Sequence, residues 1–272
     1  MQAHRRWRPP SGTLGVLVEQ ARVRAAALAA HGPALRTASQ IAIVPPSLLA
    51  ALRRADVAVI AEVKRASPSK GSINPGIRAG EQAAAYAAGG AAALSILTEP
   101  ERFGGSLDDL AEARARVAVP LLRKDFIVDE LQLVEARSVG AAAALLIVRA
   151  LDPERLRALH DAATELGLGA LVEVRDEWEL ERALEVGASI IGVNNRDLET
   201  LVVDPETAAR LIPRIPTAVL AVAESGIAGP DQVESAAAAG ADAVLVGSSV
   251  SAAADPTAAV RSLTGVPRRP RG

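Results

Sequence analysis

From residue 57 onward, the apolar and polar positions of this chain repeat a two-part pattern. Short apolar runs of strand length occur at 57–63, 92–97, 119–122, 142–148, 170–174, 189–193, 217–222 and 242–246. Between them, apolar residues recur at three- and four-residue spacing, which predicts amphipathic helices over 78–88, 107–116, 129–139, 153–166, 177–186, 205–212, 230–239 and near 256–263. Several of these helices close on a glycine that leads straight into the next run (Gly90, Gly140, Gly167, Gly187 and Gly240), the residue expected just past a helix end. The runs also resemble one another. Gly140-Ala141-Ala142-Ala143-Ala144-Leu145-Leu146, Gly187-Ala188-Ser189-Ile190-Ile191 and Gly240-Ala241-Asp242-Ala243-Val244-Leu245 share one design. Eight strands alternating with eight helices imply right-handed parallel crossovers, and eight such units close an α/β barrel, the (β/α)8 TIM barrel. A doubly wound open sheet is the alternative, but it has fewer units, and no Gly-x-Gly-x-x-Gly follows the first run.

Ahead of the repeat, helical spacing over 14–30 stops near Gly32-Pro33, and a polar link leads to a short helix that begins at Pro46-Ser47, with Ser47 as cap, and runs through Arg54. The expected organisation is a helical extension of the same domain over 1–55, the barrel over 56–265 and a basic tail over 266–272. Both basic ends, around Arg5, Arg6 and Arg8 and around Arg268, Arg269 and Arg271, are expected to be solvated.

Composition narrows the possibilities. Half of the 272 residues are apolar and only 2% are aromatic, so Ala, Val, Leu and Ile must fill the core. A formal net charge of −2 offers no footprint for nucleic acid or an anionic membrane. Without cysteine there is no disulfide, thiolate metal site or thiol nucleophile, which suits the cytoplasm. No apolar stretch is long enough to span a membrane, and the start lacks the apolar core of a secretory signal. A monomer is expected, with a homodimer as the alternative.

The chemistry gathers where the runs end. In Val59-Ile60-Ala61-Glu62-Val63-Lys64-Arg65-Ala66-Ser67-Pro68-Ser69-Lys70-Gly71, Glu62 and Lys64 stand two apart on one face of a buried strand that then breaks into a loop. Alone, the pair could simply close a strand, at a cost in desolvation. The other runs end in Leu97-Thr98-Glu99 with Phe103 beyond, Arg123-Lys124-Asp125-Phe126, Glu173, Asn194 and Arg196, Glu224-Ser225-Gly226, and Gly247-Ser248-Ser249. In a barrel these all lie on the C-terminal face, where active sites are built. A ring of Lys, Glu and Asn at one end is hard to explain as structure alone. Gly226 and Gly247, in the loops after strands seven and eight, let the backbone approach a phosphate, with Ser225, Ser248 or Ser249 adding hydroxyls and Ser67 closing from loop one. His4, His31 and His160 join no such ring, and no His or carboxylate pair has metal-ligand spacing. Acid–base work falls to Lys and Glu, without metal or other cofactor, on a small phosphorylated substrate.

Taken together, these blocks resemble the indole-3-glycerol phosphate synthase family. The match runs from Ile60-Ala61-Glu62-Val63-Lys64-Arg65-Ala66-Ser67-Pro68-Ser69 through Leu97-Thr98-Glu99, Leu122-Arg123-Lys124-Asp125-Phe126, Leu171-Val172-Glu173-Val174, Gly192-Val193-Asn194-Asn195-Arg196-Asp197 and Ala223-Glu224-Ser225-Gly226 to Leu245-Val246-Gly247-Ser248-Ser249. The resemblance implies a carboxy-lyase of tryptophan biosynthesis. It would close 1-(2-carboxyphenylamino)-1-deoxyribulose 5-phosphate to indole-3-glycerol phosphate, with loss of carbon dioxide and water.

It further implies that Lys124 protonates the substrate carbonyl and Glu173 acts in the dehydration. Lys64 would hold the substrate carboxylate, Glu62 would orient Lys64, and Asn194 would fix the reacting groups. Phe103, Phe126, Arg196, Glu224 and Ser225 would bind substrate, and Ser67, Gly226, Gly247 and Ser248 its phosphate. Which of Lys64 and Lys124 supplies which proton stays open. Phe103 and Phe126 are the chain's only two Phe residues, and both fall in loops of the active face, a placement that suits an aromatic ligand. Phosphoribosylanthranilate isomerase and the tryptophan synthase α subunit lack the Glu-x-Lys-x-x-Ser-Pro-Ser and Lys-Asp-Phe blocks together. A non-enzymatic phosphate-binding scaffold would show no turnover.

Overall fold

In a computed structural model, which describes residues 6–271, the eight expected strands close into one parallel barrel. They are β1 (Ala58–Val63), β2 (Ala93–Leu97), β3 (Leu121–Lys124), β4 (Ala143–Ile147), β5 (Gly169–Val174), β6 (Ile190–Asn194), β7 (Leu220–Glu224) and β8 (Ala243–Val246). Each pairs with its neighbours in sequence, and β1 closes the ring on β8 through Ala58↔Ala243 to Ala61↔Val246. The strands are buried on both faces, as an apolar run sheathed by helices must be. His4 and Arg5 lie outside the described residues.

The helices that cover the barrel are α4 (Ala79–Ala88), α5 (Leu107–Arg116), α6 (Glu130–Ser138), α7 (Pro153–Glu165), α8 (Glu177–Glu185), α9 (Glu206–Leu211), α10 (Pro230–Ala238) and α12 (Pro256–Arg261). The five glycines expected to close them all have φ between +68° and +97°. Caps fix several starts; Ser106 and Asp109 exchange side-chain and backbone hydrogen bonds in a capping box at the head of α5. A one-turn helix, α11 (Ser248–Ser251), stands between β8 and α12. No described helix is long and apolar enough to cross a membrane.

Three local expectations are corrected. Helix α1 (Gly12–Leu28) ends close to where expected, but no polar link begins at Gly32-Pro33. The chain passes through a tight turn at Ala29–His31 into α2 (Gly32–Ile41), because proline is tolerated in a helix's first turn, where its missing N–H is not needed. Strand β3 begins at Leu121 and β7 at Leu220, two and three residues later than expected. Pro120 lacks the N–H that a ladder needs, and the chain turns through Pro216, whose carbonyl takes the Val219 N–H at 2.9 Å. Ser47 caps α3 (Leu48–Leu52) as expected, accepting the Ala50 N–H at 3.3 Å.

The third correction concerns the C-terminal end, which is solvated only in part: Arg269 and Pro270 are exposed, but Arg268 and Arg271 are held against the barrel. Arg271 donates to Val219 O and Gly240 O, each at 2.6 Å, and to Asp242 Oδ2 at 2.7 Å, while Arg268 pairs with Asp242 Oδ1. Val57 N–H donates to Val266 O at 2.8 Å, so the tail straps the N-terminal end of the barrel. Arg6 and Arg8 are exposed as expected, although the segment that carries them is tied down through its backbone and Ser11. Arg8 O accepts from Arg149 Nη1 at 2.7 Å, and Ser11 donates through both N and Oγ to Glu199.

Candidate active site

At the C-terminal ends of the strands lies a cavity of about 750 Å³, open to solvent. Glu62, Lys64, Ser67, Phe103, Lys124, Phe126, Asn194, Arg196, Glu224 and Ser225 all line it, so ten of the expected site residues meet there. Glu173 faces an adjoining polar recess of about 520 Å³, which shares Asn194 and Arg196 with the main cavity. Gly226, Gly247 and Ser248 do not line the cavity. They form the turns beyond β7 and β8, which Ser249 Oγ ties together by donating to Ile227 O at 3.3 Å.

The centre of the site is an ammonium among carboxyl groups. Lys124 Nζ is 3.4 Å from Glu173 Oε2 and 3.6 Å from Glu224 Oε2. Burial would lower its pKa, but Glu173, Glu224 and Glu62 outweigh that and raise it, so the group stays charged. Glu224 moves the other way from an ordinary carboxyl. Burial pushes it up to about 8, against the pull of Lys124 and helped by Glu173 and Glu62. It therefore holds a proton at neutral pH, and its buried Oε1 has no hydrogen-bond partner among the described residues.

Two glycines make room for these carboxyl groups. Gly192 pairs with Glu173 in the barrel ladder, and a Cβ on it would overlap Glu224 Oε1. A Cβ on Gly247 would come within 2.6 Å of Glu62 Oε1. Alanine at either position would have to displace a carboxyl group of the ring.

Lys64 Nζ stands 3.4 Å from Glu62 Oε1, and Ser95 Oγ donates to Glu62 Oε2 at 3.1 Å. The Lys64 ammonium also lies 5.6 Å from the centre of the Phe103 ring, within cation–π range. Phe103 and Phe126 form a tilted pair with ring centres 6.2 Å apart, one apolar wall at the mouth. Asn194 Oδ1 accepts from Ser225 Oγ at 2.8 Å and from Arg196 N at 2.9 Å, which leaves its amide N–H groups for a ligand. Ser225 holds this position at φ +66°, a strained conformation of the kind found where a site fixes its backbone. Among the described residues, no group of three or more His, Asp or Glu could hold a metal ion.

Two contributors went unread in the sequence. Arg65 joins loop one to loop two, with Nη1 and Nη2 on the Asp109 carboxylate at 2.6 and 2.7 Å and Nη1 on Gly104 O at 3.1 Å. Arg24, on α1, reaches Asp125 Oδ1 at 3.1 Å and Glu99 Oε1 at 3.6 Å. Glu99 in turn accepts the N–H groups of Glu101, Arg102 and Phe103, so α1 is braced against the loop that carries Phe103. Leu17, two turns earlier on the same face of α1, lines the cavity itself. The only local signal for Arg24 is a charge set among the buried positions Leu14, Leu17, Val18, Ala21 and Ala25.

Residues 16–263 match the protein family described as Indole-3-glycerol phosphate synthase. The chain is 56% identical over 214 residues to the indole-3-glycerol phosphate synthase of Nocardioides sp. strain JS614, covering 79% of this chain and 82% of that one. It is 53% identical over 222 residues to the enzyme of that name from Streptomyces griseus, covering 82% of each chain. With the one from Mycobacterium ulcerans it shares 48% over 256 residues, covering 93% of this chain and 94% of the relative. Among solved structures, 3-hexulose-6-phosphate synthase from Salmonella typhimurium superposes with a TM-score of 0.62 at 17% identity, covering 76% of this chain and 96% of that one, a likeness of fold alone.

Proposed function

The chain belongs to the indole-3-glycerol phosphate synthase family, and we infer that it closes 1-(2-carboxyphenylamino)-1-deoxyribulose 5-phosphate to indole-3-glycerol phosphate, releasing carbon dioxide and water. This is a carboxy-lyase step of tryptophan biosynthesis, and we place it in the cytoplasm, where a chain without cysteine needs no oxidising surroundings. The observation that carries the reading is the Lys124 ammonium held between Glu173 and Glu224, in one cavity with the Glu62–Lys64 pair.

The substrate has a carboxylated aromatic ring at one end and a phosphate at the other. The ring enters beside Phe103 and Phe126, and its carboxylate takes the place of Glu62 as the partner of Lys64. The phosphate rests on the turns at Gly226, Gly247 and Ser248, with Ser67 reaching in from loop one. Lys124 then stands at the sugar carbonyl. As the ring carbon that bears the carboxylate attacks, Lys124 delivers a proton to the carbonyl oxygen, so no free alkoxide forms. Loss of carbon dioxide restores the aromatic ring; the new hydroxyl then leaves as water with a proton from the Lys64 ammonium, while Glu173 takes a proton from the neighbouring ring methylene and the ring double bond forms. Glu224, protonated at neutral pH, adds no second negative charge beside Glu173 and can donate to the substrate through Oε1. Asn194 fixes the substrate with its amide, and Ser225 holds Asn194.

The test is turnover of this substrate by the purified protein, followed by indole fluorescence without added metal. A folded sample that gives no signal refutes the assignment.

A further inference from the structure

One buried hydroxyl takes no part in the roles above. Strand β1 is paired with β8 only as far as Ala61↔Val246, where β8 turns away into Gly247 and α11. Beyond that point the Glu62 carbonyl and the Lys64 N–H, two residues apart and so on one side of the strand, have no ladder partner from β8. Ser251, the last residue of α11 and 0% exposed, fills the gap. Its Oγ donates to Glu62 O at 2.9 Å and accepts from Lys64 N at 3.2 Å. Tyr86 Oη lies 3.1 Å from the same oxygen and 3.3 Å from Glu62 O. Burial first of all pushes the Tyr86 phenol up to about 12, so it remains a neutral donor. The Ser251 carbonyl accepts from Asn74 Nδ2 at 3.3 Å, and the Ser251 N–H donates to Gly247 O at 2.9 Å.

Helix α11 thus joins two parts of the site through a single turn. Its first residue, Ser248, belongs to the phosphate turn, and its last holds the backbone of the pair that meets the substrate carboxylate. At the near end Gly247 abuts the Glu62 carboxylate so closely that no Cβ fits between them. We propose that Ser251 is a positioning residue that couples the phosphate turn to Lys64, so that seating the phosphate sets the ammonium that receives the substrate carboxylate. The proposal rests on the reaction inferred above. It adds a mechanical link between the two anionic ends of that substrate.

The test is a kinetic double-mutant cycle on the full chain with Ser248→Ala and Ser251→Ala, each variant first confirmed as folded by circular dichroism. Ser251→Ala should lower kcat by about tenfold, with KM changed about threefold or less. Ser248→Ala should lower kcat/KM by about tenfold in the wild-type background but by about threefold or less in the Ser251→Ala background. Equal factors in the two backgrounds overturn the coupling. So does a lower melting temperature for Ser251→Ala with kcat and KM unchanged, because that is what a merely structural hydroxyl would show. If Ser251→Ala does not fold, Tyr86→Phe takes its place in the cycle, with about a threefold loss of kcat expected and the same overturning result. Wild-type protein that folds but does not turn over the substrate removes the underlying reaction. Turnover with additive effects removes only the coupling.

Discussion

Replacing Lys124 with methionine keeps an unbranched apolar stem as far as Cε and removes the ammonium. The structure shows which interactions that breaks. At 3.4 Å from Glu173 and 3.6 Å from Glu224, and with an effective dielectric constant of about 20, each charged contact is worth about 5 kcal/mol before desolvation is subtracted. The two are not equal in practice. The Glu224 carboxyl, pushed up to about 8 chiefly by burial, is mostly protonated at pH 7, so Glu173 is the working counter-ion. Lys124→Met leaves Glu173 buried without a partner. Removing one member of such a pair costs about 3–5 kcal/mol, a loss of roughly 10 °C in Tm for a chain of this size.

If Lys124 is the acid proposed above, the catalytic loss comes from removing it. It should lower kcat by about 10²–10⁴, which is about 3–5 kcal/mol of transition-state stabilisation. Two signals should be followed in the first turnover, carbon dioxide release and indole fluorescence. If Lys124 protonates the carbonyl during ring closure, both slow together. If it serves only the dehydration, carbon dioxide appears at near the wild-type rate while the fluorescence lags. The same pair of measurements on Lys64→Met assigns the other proton. A folded Lys124→Met protein whose kcat stays within about threefold of wild type refutes the assignment of Lys124 as the acid.

Three further outcomes can be checked. The Glu224 carboxyl is raised from 4.5 to about 8, first by burial, so the stability it contributes is complete below 4.5 and lost as the pH rises through 8. Chemical denaturation should therefore show stability falling between pH 5 and pH 9, with a shallower fall in Glu224→Gln. Glu179, likewise pushed up to about 8 by burial, keeps part of the slope, and parallel slopes in the two proteins would contradict the reasoning. Ser248→Ala should raise KM by about tenfold and leave kcat within about threefold, the loss of one hydrogen bond to a charged group. Arg271→Ala should cost about 2–3 kcal/mol, because Asp242, 1% exposed, then keeps Arg268 as its one ion-pair partner among the described residues. Calorimetry should show Tm lower by roughly 5–10 °C, with kcat within about twofold of wild type.

How much of this the sequence showed depended on whether each cause was local. Strand runs, helical spacing and closing glycines are local, so the barrel could be read directly. The barrel then placed Glu62, Lys64, Lys124, Asn194 and Glu224 in one mouth, although they come from four stretches of chain between residues 62 and 224. Features that depend on a partner far along the chain were misread or missed. Gly32-Pro33 has the composition of a helix stop, yet α2 starts there and lies along α6. The basic tail resembles a solvated end, but its arginines find Asp242 and the carbonyls of Val219 and Gly240 at the base of the barrel. Arg24 and Ser251 are ordinary helix residues until the fold sets one against Asp125 and the other against the end of β1.

The resemblance supplied residue types at the mouth, and the structure adds their charge balance. Two ammonium groups, Lys64 and Lys124, meet three carboxyl groups, Glu62, Glu173 and Glu224, and one of the three is protonated at neutral pH. The cluster is therefore close to neutral before substrate arrives, a tolerable state for buried charge. In the binding mode proposed above, a substrate carboxylate draws Lys64 away from Glu62, so a ligand that lacks this group gains nothing from the pair. Decarboxylation then removes the charge that drew Lys64 away. The pair at 3.4 Å can close again as the carbon dioxide leaves, and the product is left with its phosphate as its remaining anionic hold on the site. If Lys64 receives the substrate carboxylate as proposed, the same lysine favours release of a product that has lost it, because the chemistry removes what the lysine recognised.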